Sequence, residues 1–205
     1  MMTEIVINIF KNSWPMILIL TTILASMKIT YYIKNRTKFI FYREVLQLAF
    51  LIYILCLFYV VTFQDVSWSS SNFVPFKEMF RYQLGSPLFY RNVIGNMIMF
   101  MPYGFFITYF LKLEKLRSEV ILSVITSTTI EVTQLCIGRV FDIDDIVLNI
   151  LGGICGFYIC YILTKLQAKL PPILKNEIFY NIIIVLILIG ISFYFYQAVV
   201  VGGIV

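Results

Sequence analysis

Histidine is absent from this sequence, and charged residues are scarce. The 205-residue chain contains no histidine, which removes the commonest general base at neutral pH and the commonest transition-metal ligand. This absence argues against a zinc site and against histidine-dependent nucleophilic catalysis. Charged residues make up 13% of the chain and hydrophobic residues 60%, whereas about a quarter of a soluble globular protein is charged. The composition therefore excludes an ordinary soluble domain and indicates an integral membrane protein.

Cysteines are also few, and each of them lies in an apolar run. They are Cys56, Cys136, Cys155 and Cys160. This placement is typical of small buried hydrophobic residues rather than of a disulfide framework or a metal site. The net charge of +5 does not indicate a nucleic-acid partner, because the basic residues cluster at the ends of apolar runs, where they orient helices in a membrane.

Six apolar segments are separated by polar connections. A helix of about 20 residues crosses a hydrocarbon core of about 30 Å. The predicted spans are residues 13–31, 45–63, 93–111, 120–137, 144–164 and 179–201. The sequence thus predicts an all-α, polytopic membrane bundle of about six transmembrane helices. We expect three parts: the first helix with its basic loop (1–43), a membrane core (44–164), and a basic connection with the last helix (165–205).

Residues 64–91, between the second and third spans, are too polar to cross a membrane but are rich in aromatic side chains. Pro75, which follows Asn72, is typical of the first turn of a short helix. In such a helix Phe76 and Phe80 share one face, and charged residues occupy the others. The pattern favours a segment that lies in the headgroup plane, with a solvated hairpin as the alternative.

The distribution of basic residues predicts the orientation in the membrane. Alternate connections carry eleven Lys and Arg residues on one side and five on the other. Because basic loops remain in the cytoplasm, we expect both termini on the extracytoplasmic side. Residues 64–91 and 138–143 would then share that outer face.

Polar groups concentrate between residues 131 and 156. Glu131 and Gln134 share a helix face, and Glu131 lies about 10 Å below the helix end that Gly138 would cap. A carboxylate at that depth must face the bundle, keep its proton or meet a cation. Arg139 is the nearest cation in the sequence, and its guanidinium could donate two hydrogen bonds to Glu131 or to a neighbouring aspartate.

Asp142, Asp144 and Asp145 stand where the fifth span begins. One of them is expected to be the N-cap, and the others suit the positive end of the helix dipole. Three acids exceed the needs of one cap, so they are also candidate ligands for a divalent cation. Asp142 and Asp145, together with Glu131, are the candidate catalytic carboxyls.

A stripe of small and polar residues follows Asp145 along the fifth span. Asn149, Gly152 and Gly156 come at intervals of four, three and four, on one helix face. Glycines at such positions let another helix approach closely. We expect the glycines to serve packing and the amide of Asn149 to serve function.

The order and spacing of these residues resemble the VanZ-like family. The matching positions are Asn72-Phe73-Val74-Pro75-Phe76, Asn92 and Asn96, Phe100, Pro102 and Gly104, Glu131 and Gln134, Arg139, Asp142, Asp144 and Asp145, and Asn149, Gly152, Gly153 and Gly156. The resemblance covers about residues 50–160. It implies a bacterial cytoplasmic-membrane protein whose family includes a determinant of resistance to teicoplanin-type glycopeptides, with no established catalytic residue.

Three functional hypotheses follow. In the first, the polar site binds a lipid headgroup, a polyprenyl-linked cell-wall precursor or a lipoglycopeptide. In the second, the protein is an enzyme in which Glu131 acts as general acid or base on a phosphate-bearing lipid, aided by a divalent cation. In the third, the polar residues only lock helices together. Beyond that cation no cofactor is expected. The candidate ligand-binding residues are Asn92, Asn96, Glu131, Gln134, Arg139, Asp142, Asp144, Asp145 and Asn149.

Overall fold

The computed structural model describes residues 2–63, 71–77 and 79–197. Within them the chain is helical and forms no strand, apart from one isolated parallel bridge between Asn72 and Asp142. The α-helices are α1 (Met2–Asn35), α2 (Phe41–Phe63), α3 (Pro87–Phe89), α4 (Gly95–Leu111), α5 (Leu116–Cys136), α6 (Ile143–Lys169) and α7 (Glu177–Tyr196). Short 3-10 helices (Met79–Arg81 and Pro172–Lys175) and a π-helix (Tyr90–Ile94) complete the set. The all-α prediction is confirmed.

Five of the described helical segments are long and apolar enough to cross a membrane. They are Lys11–Asn35, Phe41–Thr62, Pro87–Leu111, Ile143–Lys169 and Glu177–Tyr194. They coincide with five of the six predicted spans, although residues 198–201 of the last one lie outside the described part.

The remaining predicted span is α5, which is less apolar than the others. Its 21 residues would extend about 32 Å, enough to cross. Its apolar character is reduced because one face carries the buried side chains Glu119, Ser123, Ser127 and Glu131. That α5 crosses the membrane stays a prediction.

The chain divides into two compact units, residues 1–19 with 50–165 and residues 20–49 with 166–205. In the second unit Glu44 accepts hydrogen bonds from Lys28 and from the Tyr32 hydroxyl. The Lys38 ammonium lies 2.7 Å from the Glu177 carboxylate. This last pair is exposed, so its contribution to stability is small.

In the first unit α4 and α6 are parallel and in backbone contact. A Cβ atom built on Gly152 would lie 2.2 Å from the Met97 carbonyl oxygen, and one on Gly156 would lie 2.1 Å from the Met101 oxygen. A step of four residues along α6, from Gly152 to Gly156, corresponds to a step of four residues in the same direction along α4, from Met97 to Met101. The two helices are therefore parallel. Because no side chain larger than hydrogen fits, these glycines have the packing role predicted for them.

Proline 102 lies inside α4, where it removes one backbone donor and disturbs the turn before it. The Tyr53 hydroxyl donates to the Met99 carbonyl at 2.9 Å. A neighbouring helix thus supplies a donor to the turn that precedes the proline, beside the Ile98 carbonyl to which Pro102 has no N–H to donate.

Helix α5 ends in a tight left-handed turn at Gly138. Gly138 has φ +82°, and the Arg139 N–H donates to the Gln134 carbonyl at 2.8 Å. This 6→1 hydrogen bond is characteristic of the Schellman motif, in which a glycine commonly follows the helix. The turn returns the chain at once towards the start of α6.

Candidate functional site

The first turn of α6 is the centre of the polar site. The Asp142 carboxylate accepts from the Asp144 N–H at 2.9 Å, so Asp142 is the N-cap of α6. The same carboxylate oxygen accepts from the Asn72 amide at 2.9 Å. Asp142 therefore connects the start of α6 to the segment that precedes α3.

Asn72 joins this segment to the α5–α6 connection through its backbone as well. Its N–H donates to the Phe141 carbonyl at 2.8 Å, and its carbonyl accepts from the Ile143 N–H at 3.0 Å. The rings of Phe73 and Phe141 stack with centroids 5.1 Å apart. These contacts fix residues 71–73 against the N-terminus of α6.

Asp144 holds the next part of the same segment. Its carboxylate is buried, with 2% exposure, and it accepts from the backbone N–H groups of Phe76 and Met79. Phe76 has φ +66°, a left-handed conformation that is uncommon for a bulky residue. The side chain of Asp144 thus supplies the acceptor for a strained turn.

The predicted interfacial helix around Phe76 and Phe80 is wrong in its detail. The chain instead forms a turn at residues 75–77 and a three-residue 3-10 helix, Met79–Arg81. The Asp144 carboxylate accepts hydrogen bonds from two backbone N–H groups of this stretch. In a regular helix, backbone carbonyl oxygens would accept them instead. Residues 64–70 and Glu78 of the expected segment lie outside the described residues.

Asp145 and Glu131 meet on the inner side of the α6 start. Asp145 accepts from the Asn96 amide of α4, and Glu131 of α5 accepts from the Asp142 N–H at 2.9 Å. The carboxylates of Glu131, Asp142 and Asp145 are near enough for mutual Coulombic interaction. Four predicted site residues therefore converge from three helices, as the sequence pattern suggested.

Within the described part of the chain, Arg139 does not form the forked pair with a carboxylate that its sequence position suggested. Its guanidinium donates to the carbonyl oxygens of Val61 and, at 3.4 Å, of Val60. Gln134 donates to Val61 as well, also at 3.4 Å. The last carbonyls of α2 have no partner within their own helix, and Arg139 and Gln134 supply these donors.

The two remaining candidates lie on either side of this centre. Asn92 is in the π-helix before α4, half-buried, and its side chain makes no hydrogen bond within the described part of the chain. Asn149 is buried one helical turn beyond Asp145, and its amide donates to the Ser127 hydroxyl at 2.9 Å.

Each of the three aspartates faces a different protein donor. Asp142 faces Asn72, Asp144 faces the N–H groups of Phe76 and Met79, and Asp145 faces Asn96. Over residues 2–63, 71–77 and 79–197, no group of three or more His, Cys, Asp or Glu side chains is arranged to hold a metal ion. A divalent-cation site at these aspartates stays a prediction.

Comparison with known protein families matches residues 50–164 to the VanZ/LLP1 family. The match spans more than half of the chain and contains all the residues that build the site. The chain belongs to the VanZ/LLP1 family. No curated protein and no solved structure matches the chain. The matched region begins in α2 and ends in α6, so it includes the parallel helix pair and the polar site between α4, α5 and α6.

Sequence reasoning missed one set of polar residues in this VanZ/LLP1 protein. Glu119, Ser123 and Ser127 are fully buried on α5, and with Glu131 they recur at intervals of four residues. The regular interval was visible in the sequence as one face of a helix. It escaped notice because serines in an apolar helix are commonly packing residues.

Proposed function

We propose that this VanZ/LLP1-family protein binds the hydroxyl- or amine-bearing headgroup of an envelope lipid, a polyprenyl-linked cell-wall precursor or a lipoglycopeptide in the bacterial cytoplasmic membrane. Through that binding it contributes to resistance to teicoplanin-type glycopeptides or to maintenance of the cell envelope. The binding centre is the meeting point of Asn96, Glu131 and Asp145.

The acceptor-rich lining of the site is the observation that carries the proposal. Asp145 and Glu131 accept from an amide and a backbone N–H, and Arg139 is bound to carbonyls of α2. Carboxylate oxygens attract ammonium groups and accept hydrogen bonds from hydroxyls. A phosphate consists of acceptor oxygens itself and would find few donors there, since Arg139 already donates to carbonyls of α2.

The turn that leads into α4 supports a binding role. Tyr90–Ile94 form a π-helix, a distortion that is frequently found at functional sites. Asn92 lies in this turn, and its side-chain amide makes no hydrogen bond within the described part of the chain. The amide donor and acceptor of Asn92 suit a sugar hydroxyl.

The purely structural network is the second candidate, and one observation favours it. Asp142, Asp144 and Asp145 each accept a hydrogen bond from the protein itself. Such satisfied polar groups can lock helices without a ligand. Acid–base catalysis by Glu131 remains a hypothesis without a substrate position to support it.

Binding is tested with purified protein in lipid nanodiscs. The probes are a polyprenyl diphosphate that carries the disaccharide-pentapeptide, the same polyprenyl diphosphate without sugar or peptide, and teicoplanin. We expect the sugar-bearing lipid or teicoplanin to bind and the bare diphosphate to bind at least tenfold more weakly. Equal binding of the bare diphosphate would contradict the argument from the acceptor-rich lining.

Site variants identify where binding occurs. Asp145→Asn and Asn96→Ala should weaken binding of the preferred probe by roughly 10- to 100-fold, as expected for loss of one hydrogen bond to a charged group, about 1.5–3 kcal/mol. Glu177→Gln is the matched control, since Glu177 is also a first-turn carboxylate but is 42% exposed and lies on α7. Folded variants that bind like the control, and that support normal teicoplanin resistance in cells lacking their own copy, would favour the structural network.

A further inference from the structure

A buried polar seam extends along α5 from Glu131 to Glu119. Glu119, Ser123, Ser127 and Glu131 have exposures of 0%, 0%, 0% and 2%. At 1.5 Å per residue the seam is about 18 Å long, which is more than half of a hydrocarbon core of about 30 Å. The polar site at the α6 start therefore continues deep into the helix bundle.

Helix α6 faces the seam at Asn149 and Gly153. Asn149 donates to Ser127 at 2.9 Å. A Cβ atom on Gly153 would lie 2.3 Å from both the Ser123 hydroxyl and a Glu119 carboxyl oxygen. The glycine thus leaves room for polar groups between the two helices, where a larger residue would fill the space.

Two polar atoms in this seam lack a partner. Across the described part of the chain, the buried Glu119 Oε2 and Asn149 Oδ1 atoms have no hydrogen bond. Glu119 itself is contacted by the Ser123 hydroxyl. Buried polar atoms without partners cost about 1–3 kcal/mol each, so a purely structural seam would not be expected to leave them unsatisfied.

Glu119 also has no basic partner in the ion pairs of the described residues. Burying an ionised carboxylate without a counter-charge costs far more than burying the neutral acid. Carboxyl groups within membrane helices are costly, and where they persist they commonly mark ion paths or proton relays. The titratable groups facing the seam are Tyr103 of α4 near Glu119, and Arg139, Asp142 and Asp145 near Glu131.

We propose that the α5 seam conducts protons between Glu131 and Glu119. The hydroxyls of Ser123 and Ser127 are the fixed relay groups, the amide of Asn149 orients the Ser127 hydroxyl, and water molecules fill the gaps of one helical turn between them. Each hydroxyl or water accepts one proton and releases one. A proton taken up by one terminal carboxyl is thus released by the other, with no change in any carbon bond or oxidation state.

Proton flux in proteoliposomes is the direct test. Vesicles that contain the full chain and a trapped pH dye receive a potassium diffusion potential, and the change in internal pH is recorded. We expect flux at least tenfold above that of protein-free vesicles and of vesicles with Glu119→Gln. Glu177→Gln should keep full flux. Flux at the level of protein-free vesicles, or full flux through Glu119→Gln, would overturn the proposal.

Relay variants separate conduction from folding. Ser127→Ala should reduce the flux several-fold, and Ser127→Thr, which retains the hydroxyl, should restore it at equal amounts of folded protein. Equal flux through both would contradict the relay. A structural seam would change abundance without this difference between the two variants.

Chemical labelling of the unaltered chain decides the matter if Glu119→Gln does not fold. A lipid-soluble carbodiimide reacts with protonated carboxyls in apolar surroundings, and mass spectrometry locates the adduct. We expect modification of Glu119 that decreases as the pH is raised and that lowers the flux in proportion. An unmodified Glu119, or modification that leaves the flux unchanged, would refute the proposal.

Discussion

The glycines between α4 and α6 give the sharpest prediction about stability. A Cβ atom at Gly156 would lie 2.1 Å from the Met101 carbonyl oxygen and 2.5 Å from the Phe105 nitrogen. The first distance is more than 1 Å short of ordinary van der Waals contact. Since both neighbours are backbone atoms, no rotamer change can relieve the overlap, and the helices must separate along their length.

The expected cost of Gly156→Ala follows from two opposing effects. Overpacking costs about 1–3 kcal/mol, and a contact with backbone belongs at the upper end of that range. Alanine favours the helix by about 1 kcal/mol over glycine. We therefore expect a net loss of about 1–2 kcal/mol in the free energy of unfolding for Gly156→Ala and for Gly152→Ala. The leucine variants at both positions should strongly reduce the amount of folded protein.

Gly190→Ala is the matched control, because a Cβ atom there would meet nothing within 4 Å. This variant should be neutral or slightly stabilising. Stability is measured by denaturant titration in mixed micelles, beside the amount of folded protein in membranes. The double variant of Gly152 and Gly156 should cost less than the two single losses added, since both act on one interface. Losses at Gly152 and Gly156 no larger than at Gly190 would refute the close-packing argument.

Three further predictions concern the site and its orientation. Asp144→Ala should release the turn at residues 75–77 and the 3-10 helix Met79–Arg81, because Phe76 and Met79 lose their acceptor. Tryptic cleavage after Lys77 and Arg81 should then be faster; cleavage at the rate of Glu177→Ala would contradict this. Arg139→Met should lower the free energy of unfolding by about 1–3 kcal/mol, since carbonyls of α2 lose their donor. Adding Glu131→Gln should not restore this loss; full restoration would indicate direct charge pairing. In a cysteine-free background, Leu84→Cys should react with an impermeant thiol reagent in intact cells and Lys38→Cys should not; the reverse result would invert the predicted orientation.

The sequence by itself determined the helical membrane class and the location of the polar site. Long apolar runs can satisfy their backbone hydrogen bonds in lipid only as helices, so five spans were readable from composition and length. The glycine interval along α6 predicted close helix contact, because spacing alone places Gly152 and Gly156 on one face. The resemblance carried by the motif residues was confirmed at the level of the family.

Only the tertiary structure decided which group each polar side chain satisfies. Arg139 could reach several acids by sequence distance, yet in the fold its guanidinium lies beside the carbonyls at the end of α2 and donates to them. Asp144 likewise serves a turn 65 residues away in the chain. Helix periodicity fixes the face on which a residue lies. Its hydrogen-bond partner on that face depends on which other segments of the chain the fold places there. That is why Glu119 and Ser123, ordinary in sequence, became visible as a seam only against α6.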